Sequence, residues 1–176
     1  MSDWRRGLRL YWYRANKHVL ALVVVFIVVL SGFGLLLNAV FAERAERDQL
    51  TCLALNVYFE ARGEPKAGQF AVAEVTMNRV ASPYYPDSVC DVVYQKNWDA
   101  RRQRYVGAFS WTELKALPEP KGEEWRRAWE VAAEVYYGRQ PPRLTTALHY
   151  HAARIRPSWA EERARVAKIG NHVFYR

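Results

Sequence analysis

From Val19 to Leu37 the chain carries no charged side chain and is dominated by Val, Leu, Ile and Phe. With Asn38–Phe41 added, the run is 23 residues, roughly 34 Å of helix, enough to cross a hydrocarbon core. A helix apolar on every face for this length would need a larger protein around it than the rest of the chain can build. The run therefore predicts one transmembrane helix over residues 19–41. Residues 1–18 place Arg5, Arg6, Arg9, Arg14 and Lys17 against Asp3 alone, with Trp4, Tyr11, Trp12 and Tyr13 between them. Such a basic, aromatic flank stays on the cytoplasmic side. Residues 42–176 are then expected outside the cytoplasm, in the periplasm or its equivalent, on a single-pass protein of the cytoplasmic membrane. Val40-Phe41-Ala42 also fits a small-residue cleavage site, so a removed signal peptide is the alternative. The run exceeds the usual 7–15-residue apolar region of such peptides, which favours a retained anchor.

Beyond the anchor the chain holds 21 of its 26 basic and 17 of its 18 acidic side chains. This mild basic excess suits an anionic polymer or membrane surface. The run Lys96–Arg104, with Arg101, Arg102 and Arg104, reads as a solvated loop, and no nucleic-acid motif surrounds it. Cys52 and Cys90 are the only cysteines. An even count in an oxidising compartment suggests a disulfide, with two buried free thiols as the alternative.

Hydrophobic periodicity predicts a helix over Leu50–Arg62, with Leu50, Leu53, Ala54, Val57, Tyr58 and Ala61 on one face. Gly63 and Pro65 end it. A second helix is expected over Gln69–Val80, a loop over Ala81–Ser88, a short apolar piece at Val89–Tyr94 and a polar loop over Gln95–Gly107. Ala108–Trp111 is too short to assign. Glu123–Tyr137 forms the clearest later helix, closed by Gly138. Leu144–His151 and His172–Tyr175 read as strands, with a turn at Gly170-Asn171 before the second. The expected class is α+β and mainly helical.

Glu60 falls just outside the edge of the first helix's apolar arc, packed on one side and open on the other. That setting raises a carboxyl pKa and suits a general acid, although an ordinary surface glutamate near a helix end is the plainer reading. The surrounding residues weigh against the plainer one. The stretch Cys52–Pro65, with Glu60-Ala61-Arg62-Gly63-Glu64 at its end, resembles the SleB/CwlJ-type cell-wall hydrolases. So do Gly68–Ala73, Asn78-Arg79-Val80, Tyr85–Cys90, Val93-Tyr94-Gln95 and Phe109-Ser110-Trp111. Ala147–His151, Pro157-Ser158-Trp159 and Ile169–Tyr175 continue the likeness to the end of the chain. The resemblance implies a lysozyme-like domain that cuts the MurNAc–GlcNAc glycan strand of peptidoglycan, often as a lytic transglycosylase, with Glu60 as the acid. The substrate partner would be peptidoglycan, and no cofactor is implied.

One glutamate can suffice for that chemistry. A protonated carboxyl gives its proton to the glycosidic oxygen, and the sugar's C6 hydroxyl then attacks C1 with the same carboxylate as base. A two-carboxylate muramidase would need a second acid roughly 5–9.5 Å away. Glu64 is the candidate by position, but it could equally pair with Arg62 or cap the next helix. Ser110, Phe109 and Tyr150 are the expected sugar contacts, with Phe109 and Trp111 as core aromatics the alternative. Thr112-Glu113-Leu114 departs from the Cys-Asp-Gly found in many relatives, which puts an acidic role or second disulfide there in doubt. Gln69, Asn78 and Arg79 are expected to pin the second helix against the first. His149 and His151 share a strand face, yet no third ligand is evident, so no metal site is expected. The competing class is a non-enzymatic wall-binding scaffold on the same domain.

Overall fold

The computed structural model describes residues 3–100 and 102–176, with the side chains of residues 3–10 and 13–15 also left aside. Arg101 of the basic run, Met1 and Ser2, and the side chains of Trp4, Arg5, Arg6, Arg9, Tyr13 and Arg14 in the expected flank therefore lie outside the described residues. The chain divides into two compact units, Met1–Ala45 and Glu46–Arg176, and helix α1 (Asp3–Ala61) contributes to both. In the first unit the apolar side chains from Val19 to Phe41 are exposed. The helix holds an 18-residue window of mean hydropathy 3.0, none of it buried, so by length and composition it can cross a membrane.

The second unit is mainly helical with a small sheet. The predicted stripe of α1 is its core face: Leu53, Ala54 and Val57 are wholly buried, and Leu50, Tyr58 and Ala61 nearly so. Helix α2 (Lys66–Val80) follows Pro65, which stands at its N-cap. It begins three residues earlier than the periodicity suggests, because its first turn is largely exposed and carries no apolar stripe. Phe70 and Ala73 join a cluster with α1 and with Ala128, Val131 and Ala132 of helix α4 (Gly122–Tyr136). Ala71 and Val75 pack instead with Leu144, Ala147 and Phe174. With apolar partners on both sides, α2 has no amphipathic stripe to read. Each wholly buried Val, Leu or Phe contributes about 1.5–3 kcal/mol.

Two polar devices lock this core. Asn56 is wholly buried; its amide donates to Thr76 Oγ1 at 3.0 Å and its carbonyl accepts from Trp111 Nε1 at 3.0 Å. Helix α3 (Val89–Val93) is capped by Ser88, which accepts from Asp91 N. It is tied to α1 by the Cys52–Cys90 disulfide and by Cys90 N donating to Gln49 Oε1 at 3.0 Å. Closing a loop of 38 residues removes about 4 kcal/mol of unfolded-chain entropy in the chain-entropy model.

The sheet has antiparallel order β3-β5-β4, with β3 at His149–Ala152, β4 at Arg165–Ile169 and β5 at His172–Tyr175. Three expectations need correction. The Gln95–Gly107 loop is a hairpin, β1 (Lys96–Asp99) paired with β2 (Arg104–Gly107), whose largely exposed side chains give no apolar alternation. The strand expected from Leu144 begins only at His149; Leu144 and Ala147 are buried in irregular backbone. β4 went unpredicted because it is a charged, mostly exposed edge. The Gly170-Asn171 turn therefore joins two strands, and Gly170 takes φ +56° there, a conformation that favours glycine.

Candidate active site

Glu60 stands in the last turn of α1, where the helix runs out at Ala61. Its Oε2 accepts a hydrogen bond from the Tyr150 hydroxyl of β3 at 3.0 Å. Burial raises its pKa above the ordinary carboxylate value, against the opposing pull of the Tyr150 hydrogen bond and the Arg79 charge. Burial, then the Glu60 charge, pushes Tyr150 well above the phenol range, so its proton stays on the oxygen as a donor. Arg79 is itself held below its usual value by burial. Its Nε donates to Leu148 O at 2.8 Å, and its guanidinium lies 5.1 and 5.3 Å from the Phe109 and Tyr85 ring centres. A fixed cation packed against two aromatic rings thus acts on the carboxyl.

Glu60 opens into a cleft of about 840 Å³, also lined by Phe59, Glu64, Ser110, Tyr150 and Trp159. That volume lies in the range of small-molecule and saccharide sites. Glu64 lines it but is engaged elsewhere. Its Oε2 accepts from Asn171 N at 2.8 Å and its Oε1 from Asn171 Nδ2 at 3.1 Å, with His172 Nδ1 at 3.8 Å. Its side chain is 9% exposed. The carboxylate therefore ties the α1–α2 loop to the β4–β5 turn.

The family model for Cell Wall Hydrolase matches residues 63–175. The chain belongs to the cell wall hydrolase family. It is of the SleB/CwlJ type. The spore cortex-lytic enzyme of Bacillus subtilis (strain 168) is 30% identical over 130 residues, 72% of this chain and 37% of that protein. The enzyme of the same name from Halalkalibacterium halodurans is 30% identical over 127 residues, 72% of this chain and 34% of that protein. The chain thus spans little more than a third of the length of these relatives. Among solved structures, the catalytic domain of the germination-specific lytic transglycosylase SleB from Bacillus anthracis aligns with TM-score 0.56 at 27% identity. It covers 73% of this chain and 93% of that one. The SleB catalytic domain of Bacillus cereus gives 0.51 at 25% identity, covering 74% and 91%. The family segment opens at Gly63, so Glu60 stands just ahead of it, with the Tyr150 hydrogen bond reaching it from within the segment.

The remaining expected positions divide. Ser110 is exposed on the cleft wall and Tyr150 reaches it. Phe109 does not: at 3% exposure it is a core residue beneath Arg79, so its expected role as a sugar contact is corrected. Trp111 is likewise core, stacked on Phe59 at 4.8 Å. Gln69, Asn78 and Arg79 do not pin α2 against α1. The Asn78 amide donates to Leu144 O and Ala147 O, and Arg79 to Leu148 O, so both fasten the segment leading into β3; Gln69 Nε2 reaches Glu64 O. Glu113, at the departure from the family pattern, pairs with Arg104 at 3.1 Å and accepts from Gly107 N, bracing the hairpin. His149 and His151 both stand against Trp159, at 5.8 and 5.6 Å. Burial, then the charges of Arg163 and Arg79, lowers His149 to about 4, which keeps it neutral. Sequence reasoning gave no role to Trp159 or to Arg79 as the cation facing Glu60. The Pro157-Ser158-Trp159 block was the one available signal for the former.

Proposed function

We propose that this chain cleaves the MurNAc–GlcNAc strand of peptidoglycan as a lytic transglycosylase, with Glu60 acting alone as acid and then base. The observation that carries the reading is the unequal setting of the two cleft carboxyls. Glu60 is desolvated, hydrogen-bonded once and open to the cleft, whereas both oxygens of Glu64 are held by Asn171. In the first step the Glu60 proton passes to the glycosidic oxygen as the C1–O bond breaks. The C6 hydroxyl oxygen then bonds to C1 and its proton returns to Glu60, leaving a 1,6-anhydromuramic end and consuming no water. Tyr150 steadies the carboxylate between the steps, and Arg79 favours its charged form. The Bacillus anthracis neighbour, named a lytic transglycosylase, supports the same choice.

The anchor reading belongs with this proposal: residues 19–41 span the cytoplasmic membrane, with residues 1–18 inside and the catalytic unit in the extracytoplasmic space. The exposed, charge-free run and the Cys52–Cys90 disulfide support it. A periplasm-only reporter fused after Arg176 is then active; activity of a cytoplasm-only reporter at that place would overturn the topology.

The mechanism is tested on the full chain in detergent by mass analysis of peptidoglycan digests. Anhydro products, one water lighter than hydrolysed ones, are expected. Glu60→Gln loses several orders of magnitude in rate, and Glu64→Gln far less. Reducing ends, with Glu64→Gln as inactive as Glu60→Gln, would make the enzyme a two-carboxylate hydrolase. Wall binding without any product would make the domain a scaffold.

A further inference from the structure

Beside the cleft lies a second cavity of about 350 Å³, whose wall includes Arg156, Arg163 and Arg165 against the single carboxylate of Glu161. Glu161 is paired with Arg156 at 3.3 Å. Arg163 lies 5.9 Å from the Trp159 ring, and Arg165 stands at the start of β4 opposite Tyr175. Neither has a carboxylate within ion-pairing distance among the described residues. His151 and Tyr175 line the same cavity, stacked at 5.3 Å and joined through His151 Nε2 and the Tyr175 hydroxyl at 3.0 Å. The His151 Nδ1 faces Ala152 O at 2.9 Å, so Nδ1 donates and Nε2 accepts from Tyr175. That pair is satisfied internally. The cavity's unspent recognition capacity is therefore cationic, and forked guanidinium groups fit carboxylates.

The cavity is not isolated from the cleft: His151, Ala153 and Ile155 line both. If the glycan strand lies in the cleft with its muramic C1 at Glu60, the lactyl group of that sugar must project past one of the cleft walls. It carries the stem peptide, whose side chains and terminus bear free carboxylates. The wall at His151–Ile155 is shared with the second cavity, and Arg163 and Arg165 stand behind it.

We propose that this arginine-lined cavity is a subsite for the stem-peptide carboxylates, so that the chain selects glycan strands still bearing their peptides. The inference rests on the glycan-strand reading above and names the part of the substrate that reading leaves open. Arg163 and Arg165 hold the carboxylates, while Arg156 remains tied to Glu161.

The test measures binding of the full chain, in detergent micelles, to insoluble peptidoglycan and to the same glycan strands stripped of peptide by an amidase. The wild type binds the intact strands about tenfold tighter or more, as expected for charge-assisted contacts, and salt erodes that preference. R163Q/R165Q loses the preference while binding stripped strands as before, which also shows that the variant is folded. R163K/R165K keeps part of it, because the charge remains without the fork. Equal wild-type affinity for both substrates, an equal loss on both in the Gln variant, or a preference that survives in it, would overturn the subsite. Product analysis in parallel separates the two readings. A peptide preference abolished in R163Q/R165Q without anhydro products keeps the subsite and removes the transglycosylase mechanism.

Discussion

Replacing Gly170 with Ala tests whether Glu64 is a fastening of the fold. A Cβ at this position would collide with Glu64 Oε2, with Glu64 Cδ and Pro65 Cδ each at 3.3 Å. The carboxylate must move, and with it go two hydrogen bonds from Asn171. Bonds to a charged acceptor are worth about 1.5–3 kcal/mol each, and water recovers part of that near the cleft. The backbone adds a cost of its own, because φ +56° burdens an L residue by about 1–2 kcal/mol. Together these come to about 3–6 kcal/mol, a large share of what a domain this size has to lose. In a Glu64→Ala background the clash and the hydrogen bonds are already gone, so Gly170→Ala should cost only the backbone part, about 1–2 kcal/mol. Pulse proteolysis of the full chain across a urea series, scored by the surviving catalytic unit, measures all four corners of the cycle. Equal cost of Gly170→Ala in both backgrounds would refute the reasoning and free Glu64 for another role.

Tyr150→Phe removes the hydrogen bond that stabilises ionised Glu60. The alkaline limb of the activity profile should move to higher pH and the rate fall about tenfold to a hundredfold; a limb that stays put would show that Tyr150 does not set the acid's strength. Glu60→Gln should stabilise the fold at neutral pH while abolishing activity. Burial holds the folded carboxyl's pKa above its unfolded value, so the native state binds that proton more tightly and loses stability as pH rises between the two values. The variant's advantage is therefore absent below the ordinary carboxylate value, grows through that interval and is flat above it; pulse proteolysis at acidic and neutral pH reads it, and an advantage at acidic pH alone would contradict the burial.

What was legible in the sequence is what a single element determines. The stripe from Leu50 to Ala61, the helix of residues 122–136 and the stop at Gly63–Pro65 are local, and the structure matches them. Glu60 was legible as a position because helix phase alone puts it at the edge of that stripe. The hairpin of residues 96–107 and the edge strand β4 were not, since exposed strands of Arg, Lys, Asn and Asp carry no burial pattern. Tyr150 could be named from family resemblance, but as a sugar contact; its bond to Glu60 spans 90 positions of chain. Glu64 and Asn171 are 107 apart, a pairing that no spacing rule reaches.

Those long-range bonds explain why the acid depends on packing far from it. Tyr150 packs against both hydrophobic clusters, the one shared by α1, α2 and α4 and the one between α2 and the sheet. It sits where they meet, with Phe174 and His172 at 5.6 and 5.3 Å. Helix α2 joins the clusters, and Asn78 and Arg79 fasten its end to the backbone that leads into β3. The position of the phenol oxygen is therefore tied to the two-sided burial of α2 as well as to its neighbours in the cleft. Burial raises the pKa of this carboxyl while one hydrogen bond and one cation oppose it, and α2 with its attached strand positions both of the latter. Loosening α2 would weaken the acid before it unfolded the domain, because the 3.0 Å bond loses its geometry over distances that hydrophobic contacts tolerate.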